Sequence, residues 1–173
     1  NDGRDNIAVI YALGDIIDGK GDKNSIGSID LAGEIKKARE DSTVKAIVMR
    51  VNSPGGSALA SDVIWREVTL AKKAKPFIIS MGDVAASGGY YISCAADKIY
   101  AQPNTITGSI GVFGVLPNMQ RMYKNKLGIT YDRVRTNPHS DLGSITRPMD
   151  DFEFKIIQKG VDDIYNGFIT KVA

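Results

Sequence analysis

The sequence predicts an α/β fold built of repeated βαβ units around a mainly parallel sheet. Two observations carry that expectation. Apolar runs of strand length alternate with stretches whose apolar residues recur three and four apart, and the runs end in glycine-rich turns. A parallel neighbour is reached only by a crossover, and a helix is the usual one.

Ile7 to Leu13 is an unbroken apolar run and is expected to be a buried strand. Gly14 to Gly27, rich in Gly, Asp and Lys, is expected to be a loop. Ser28 is placed to cap a helix with Leu31, Ile35 and Ala38 on one face. Val44 to Val51 forms the next strand, stopped by Asn52-Ser53-Pro54-Gly55-Gly56. A helix follows from Ser57, with Ala60, Ile64, Val68 and Ala71 at helical spacing, and the basic Lys72-Lys73-Ala74-Lys75 complements its C-terminal dipole.

Pro76 introduces a third strand, Phe77 to Met81, and a small-residue turn then leads into a helix over Gly88 to Ala96. Lys98 to Ala101 is a fourth strand, followed by a Gly/Thr-rich loop from Thr105 to Gly114. Pro117 stands near the start of a helix bearing Met119, Met122, Tyr123 and Leu127, which Gly128 terminates. Ile129 to Arg135 is expected as a strand and Thr136 to Pro148 as an extended loop. The last helix begins at about Asp150 and carries Phe154, Ile157, Val161, Ile164 and Phe168. Its early acids Asp150, Asp151 and Glu153 suit the positive N-terminal end.

At 173 residues, one domain over 1–173 is the expectation, and 43% hydrophobic with 24% charged residues is ordinary for a globular chain. The 22 Lys+Arg against 20 Asp+Glu leave a net charge of +2 with scattered lysines, which gives no case for nucleic acid. One histidine, His139, and one cysteine, Cys94, cannot furnish a Cys/His zinc site or an internal disulfide. No metal and no cofactor is expected. The uncharged stretch from Ile99 to Gln120 is long enough to span a bilayer but too rich in Pro, Gly, Asn and Thr to do so. The chain opens on Asn1 and is expected to be processed or part of something longer.

Catalytic groups must therefore come mainly from Ser, Thr, Lys, Asp and Glu. In open α/β folds ligands gather where strands end and helices begin. One such end is Asn52-Ser53-Pro54-Gly55-Gly56, where paired glycines let backbone N–H groups face a ligand, or simply make a tight turn. The other is Ala85-Ala86-Ser87-Gly88-Gly89. A serine there with an N–H beside it has the parts of an acyl-transfer site, a nucleophile and an oxyanion donor. Helix capping is the alternative, although two following glycines make a poor helix start. The pattern is not the Gly-x-Ser-x-Gly elbow, because Ala85 holds the first glycine position.

Three segments in order give a more specific signal. Val51-Asn52-Ser53-Pro54-Gly55-Gly56, Ser80 to Tyr91 with its Ala-Ala-Ser-Gly-Gly-Tyr-Tyr, and Thr107-Gly108-Ser109-Ile110-Gly111-Val112 together resemble the signal peptide peptidase A (protease IV) family. The resemblance implies a ClpP/crotonase-like fold and a membrane-anchored serine protease with a Ser–Lys dyad that degrades remnant signal peptides. It implies Ser87 as nucleophile, Gly56 and Gly88 as oxyanion donors, and Ser109 as the hydroxyl that orients the general-base lysine. It further implies hydrophobic peptide substrates, homo-oligomers, and a bacterial inner-membrane location, with the catalytic domain on the periplasmic side and the anchor outside this chain.

The lysine itself is missing. Single-repeat members carry it where this chain has Ser140 or a close neighbour, and no lysine lies between Lys126 and Lys155. Tandem members take the lysine from the N-terminal repeat and the serine from the C-terminal one, and the chain resembles that second repeat. The expectation is a serine left unactivated unless an N-terminal repeat or a neighbouring subunit supplies the base. His139 with Asp141 is the local rival base, though it sits in a polar loop. Cys94 is expected to be packed, and Trp65 with the Tyr90-Tyr91 pair either to fill the core or to line a groove. Two other readings are a crotonase-type acyl-CoA enzyme, which needs no nucleophilic serine, and a noncatalytic assembly domain.

Overall fold

The computed structural model describes residues 5–173. The elements run β1 (Asn6–Leu13), β2 (Asp15–Ile17), β3 (Ser25–Gly27), α1 (Ser28–Glu40), β4 (Val44–Ser53), α2 (Ala58–Ala74) and β5 (Phe77–Ala86). They continue with α3 (Gly88–Ser93), β6 (Lys98–Tyr100), β7 (Ile106–Gly108), α4 (Gln120–Leu127) and α5 (Asp151–Val172). The chain gathers into two compact units. The described residues up to Gly111, with Gly167–Ala173, make one, and Val112–Asn166 make the other.

Every strand pairing among the described residues is parallel, as the alternation of strand and helix requires. In the first unit the main sheet runs β1-β4-β5-β6, with β7 also paired to β5. β5 serves two partners in turn. β6 lies along its first half, from Ile78↔Lys98 to Ser80↔Tyr100, and β7 along its last residues, from Val84↔Ile106 to Ala86↔Gly108. That second partner carries β5 on to Ala86, beyond the Met81 end expected from the apolar run.

Alternate residues of the sheet make the core. Ile10 and Ala12 of β1, Ile47, Met49 and Val51 of β4, and Phe77, Ile79 and Met81 of β5 are buried in one cluster. Leu31, Ile35 and Ala38 of α1 and Ala60, Ile64, Val68 and Ala71 of α2 complete it, the residues helical spacing had picked out. Burying each larger aliphatic side chain contributes about 1.5–3 kcal/mol, which is why the short strands hold their register. Ile7, Val9, Tyr11 and Leu13 alternate to the opposite side and are exposed.

Several helix ends differ from expectation. Gly27, not Ser28, is the N-cap of α1, and the buried Ser28 hydroxyl instead accepts the Gly19 N–H at 3.1 Å. Ser57 does cap α2, accepting the Ala60 N–H at 3.2 Å. Lys75, just beyond α2, donates to the Ala38 carbonyl in the last turn of α1 at 2.8 Å, so part of the basic cluster serves a neighbouring helix. The expected loop from Gly14 to Gly27 contains β2 and β3, paired from Asp15↔Ser25 to Ile17↔Gly27.

In the second unit, α4 starts after Asn118, whose side chain accepts the Gln120 N–H at 3.1 Å, and ends on Gly128 at φ +66°. Ile129–Arg135 does not form a strand; it has no strand partner among the described residues, and Val134 is wholly exposed. A reciprocal capping box opens α5. The Glu153 N–H donates to Asp150 Oδ1 at 2.9 Å, and the Asp150 N–H to Glu153 Oε2 at 3.1 Å. Of the apolar positions expected on this helix, Phe168 is buried, whereas Phe154 and Ile164 are exposed. Among the described residues no helix is long and apolar enough to cross a membrane.

Candidate active site

The C-terminal ends of β4, β5 and β7 bring together Gly56, Ser87, Gly88 and Ser109, all in the first unit. After β4 the chain turns through Pro54-Gly55-Gly56. Ser53 is fully buried, and its hydroxyl accepts the Gly55 N–H at 3.2 Å. Asn52 reaches sideways, its Oδ1 accepting the Val84 N–H at 3.0 Å, which ties the turn to β5.

Both turn glycines have positive φ, +110° at Gly55 and +149° at Gly56, a region L-residues avoid. The strap across this turn is β2. The Ile16 N–H donates to Gly55 O at 2.8 Å and the Ser57 N–H to Ile16 O at 2.8 Å, an isolated parallel bridge between Ile16 and Gly56. The Ser57 hydroxyl adds a bond to the Asp18 carboxylate at 2.9 Å. A Cβ on Gly56 would lie 2.1 Å from the Ile16 carbonyl oxygen.

Ser87 sits where β5 becomes α3, at φ +51° and ψ −118°. Its backbone is held at both ends. The Ser87 N–H donates to Gly108 O at 2.8 Å, and Ser87 O accepts the Tyr91 N–H at 2.9 Å. Its side chain makes no capping bond to α3, so the capping alternative does not describe it. Gly88 packs against the turn: a Cβ there would come within 2.7 Å of Ser61 Oγ and 3.2 Å of the Gly56 nitrogen. The Gly56 and Gly88 amides therefore stand side by side next to the Ser87 side chain, and neither donates a hydrogen bond to another described residue.

Ser109 follows β7 directly and is exposed, at φ +52°. Among the described residues, Ser87 and Ser109 are the two non-glycine residues with positive φ. Such strain costs on the order of 1–3 kcal/mol and collects at functional sites. The two serines singled out from sequence are thus the two strained ones. Thr107 ties β7 to β5 just ahead of both serines, its hydroxyl donating to Ala85 O at 2.8 Å.

None of Lys126, Lys155 and Lys171 is presented as a free base here. Lys126 and Lys155 are exposed helix residues. Lys171 is committed elsewhere. Its Nζ lies 3.0 Å from Asp62 Oδ1 and 4.7 Å from the centre of the Trp65 ring. Burial alone pulls the Lys171 pKa down, but the Tyr91 hydroxyl and Asp62 more than offset it, and the net shift is upward. A general base needs the opposite shift. Cys94 is half-buried, with Sγ against the Tyr91 carbonyl, and burial raises its pKa, so it is not a reactive thiol. Trp65 and Tyr91 both pack against Lys171, and Tyr91 also against Phe168.

The rival base, His139, lies in the second unit and is not paired with Asp141. Its Nδ1 is 3.3 Å from Glu153 Oε1 and 3.5 Å from Asp150 Oδ2, and its ring lies 4.6 Å from that of Phe152. Asp141 instead receives a two-pronged bond from Arg147, Nε at 2.9 Å and Nη2 at 2.7 Å, and Arg147 also holds both oxygens of the buried Glu153. His139, Asp150 and Glu153 bring ligand-type atoms within 4.8 Å of one another, but the guanidinium occupies the Glu153 side, a poor setting for a cation.

Hydrogen bonds from Arg147 hold the Asp141 and Glu153 pKa values down at about 2. Both folded values lie below the unfolded ones, so the stabilisation is complete above about pH 5 and is lost as pH falls toward 2. Thermal unfolding of the native chain and of Arg147→Met from pH 7 to pH 2 should show a gap in Tm that narrows steadily below pH 5. A gap that persists unchanged to pH 2 would contradict this account.

Comparison with known proteins adds an independent line. The profile of peptidase family S49 matches residues 69–173, and that of Clp protease matches residues 30–107. Protease 4 of Salmonella typhi is 45% identical over 96% of this chain and 27% of its own length. The chloroplastic serine protease SPPA of Arabidopsis thaliana is 40% identical over 99% of this chain and 26% of its own. The chain thus spans about a quarter of the length of these relatives. A mutant of the membrane-bound stomatin-specific protease 1510-N, solved with a substrate peptide, superposes with a TM-score of 0.50 at 25% identity, covering 68% of this chain and 50% of that one.

Proposed function

The chain belongs to peptidase family S49, and on that premise we propose that it is the serine-bearing part of an endopeptidase using a Ser–Lys dyad. Ser87 Oγ attacks the scissile carbonyl carbon, and the proton passes to a neutral lysine. The carbonyl oxygen becomes the oxyanion, received by the Gly56 and Gly88 N–H groups. Collapse of the tetrahedral adduct breaks the C–N bond, with the proton returned to the leaving amine, and water then hydrolyses the acyl-enzyme. Ser109 orients the lysine.

The observation that carries the reading is a strained, backbone-locked Ser87 beside two amides that donate to no other described residue. The lysine comes from another repeat of the same protein or from a neighbouring subunit, since Lys171 is engaged with Asp62 and Tyr91. Its pKa must fall by several units, which a water-excluding interface provides. The substrates are hydrophobic peptides, remnant signal peptides in particular. The protein works as a homo-oligomer, held at the bacterial inner membrane by an anchor outside this chain, with the catalytic domain on the periplasmic side. The chain itself is a ClpP/crotonase-like domain of the C-terminal-repeat type.

Labelling with a fluorophosphonate probe tests the reading. The 173-residue chain alone should remain unlabelled and inactive on peptide esters, and joining it to an N-terminal repeat that bears a lysine should produce labelling at Ser87. Activity of the isolated chain that survives Ser140→Ala but not His139→Ala would overturn the dyad. CoA-thioester turnover insensitive to Ser87→Ala would point to the acyl-CoA chemistry instead.

A further inference from the structure

The helix that follows Ser87 is too short to hold itself. α3 runs only from Gly88 to Ser93 and lacks a side-chain N-cap bond, so its orientation must come from what it packs against. Yet Ser87 depends on it, because the Tyr91 N–H closes onto the Ser87 carbonyl at 2.9 Å. Tyr91 is buried, and its other end is fixed as firmly. Its hydroxyl donates to Asp62 Oδ1 of α2 at 2.7 Å, and its ring lies 4.7 Å from Phe168 of α5.

Lys171, one turn beyond Phe168, completes the arrangement. Its ammonium is 3.0 Å from the same Asp62 oxygen and stands over two aromatic faces, 4.7 Å from the Trp65 ring centre and 5.4 Å from that of Tyr91. The carboxylate, hydroxyl and ammonium form one cluster joining α2, α3 and the end of α5. A cation over aromatic rings, with its carboxylate partner alongside, is favoured most where water is partly excluded.

We propose that Tyr91, Asp62 and Lys171 are positioning residues that aim Ser87, acting as a latch that sets the pitch of α3. This deepens the peptidase reading and rests on Ser87 being the nucleophile. Tyr91 is the mechanical link, since it grips the serine backbone with its amide and the latch with its hydroxyl. Asp62 is the shared acceptor. Lys171 holds Asp62 in place from the C-terminal end of the chain and takes no part in proton transfer.

The test uses the full-length protein with Tyr91→Phe, Asp62→Asn, Lys171→Met and Lys171→Arg. Each is measured by peptide hydrolysis and by hydrogen exchange of the Gly88–Tyr91 amides. Misplacing a reacting group by about 1 Å costs on the order of 100-fold, so Lys171→Met and Tyr91→Phe are expected to lower kcat roughly 10- to 100-fold with KM little changed. Exchange at Gly88–Tyr91 should accelerate in step, and Lys171→Arg should recover most of kcat. A lower Tm with kcat per folded molecule unchanged would overturn the proposal, as would unaltered exchange in every variant. Ser87→Ala run alongside separates the two ideas. If it retains hydrolysis, the nucleophile assignment fails, while the exchange data still decide whether the latch governs α3.

Discussion

Under the proposed Ser–Lys mechanism, Ser87→Ala in the full-length protein is expected to abolish peptide hydrolysis, by roughly 10,000-fold or more, while the fold survives. Loss of a nucleophile that works in concert with its base removes the whole covalent route, and what remains comes only from binding and the oxyanion donors. The fold survives because Ser87 contributes its backbone, not its side chain, to the structure. Its N–H and C=O are bound to Gly108 and Tyr91, and alanine keeps both.

Ser87→Gly separates chemistry from stability in the same position. At φ +51° serine is strained, and glycine is not. The glycine variant should be as inactive as the alanine variant yet more stable by about 0.5–1 kcal/mol once its greater freedom in the unfolded chain is deducted. A site that stores strain at its reactive residue becomes more stable when it is disabled. Chemical denaturation of the three proteins checks this order, and a glycine variant less stable than the alanine variant would contradict it.

Gly56→Ala is expected to damage both activity and stability. The new Cβ would meet the Ile16 carbonyl oxygen at 2.1 Å and the Ile16 nitrogen at 2.7 Å, backbone atoms that cannot rotate away. The β2 strap must detach or the turn must move, and either displaces the Gly56 N–H. Removing one oxyanion donor costs roughly 100- to 1,000-fold in kcat, and the displaced strap adds a loss of stability on top. Gly33→Ala is the matched control. It lies within α1 with nothing within 4 Å of the added methyl, and helix propensity favours it by up to about 1 kcal/mol. Steady-state kinetics and Tm for both variants test the contrast; a Gly56→Ala protein with native kcat would remove Gly56 from the oxyanion site.

Much of this arrangement was legible in the sequence where local pattern and tertiary demand agree. Ile64, Val68 and Ala71 repeat at helical spacing because one face of α2 lies on the core, and all three are buried. Ser87 stood out by its place before two glycines and Ser109 through the family resemblance, and both have positive φ. What escaped depends on distant partners. β2 and β3 have three residues each, too few for any period to show. The end of β5 reads as a turn until β7 pairs with it. Ile129–Arg135 has the β-branched and aromatic residues of a strand but nothing described to pair with, and propensity alone makes no ladder. Asp62 and Lys171 carry no local signal, and nothing in the Tyr90-Tyr91 pair points to them, since the three residues meet only in the fold.

The strap of β2 over the Pro-Gly-Gly turn also sets an order of assembly. Gly56 takes its place only after Ile16, a distant part of the chain, has crossed to meet it, and Ser87 is locked only when Gly108 arrives from further along. Both are long-range closures, the slow kind in folding. A chain only partly collapsed therefore carries Gly56, Ser87, Gly88 and Ser109 without the geometry that joins them. On the proposed mechanism, Ser87 would thus gain its oxyanion donors only as the last contacts close.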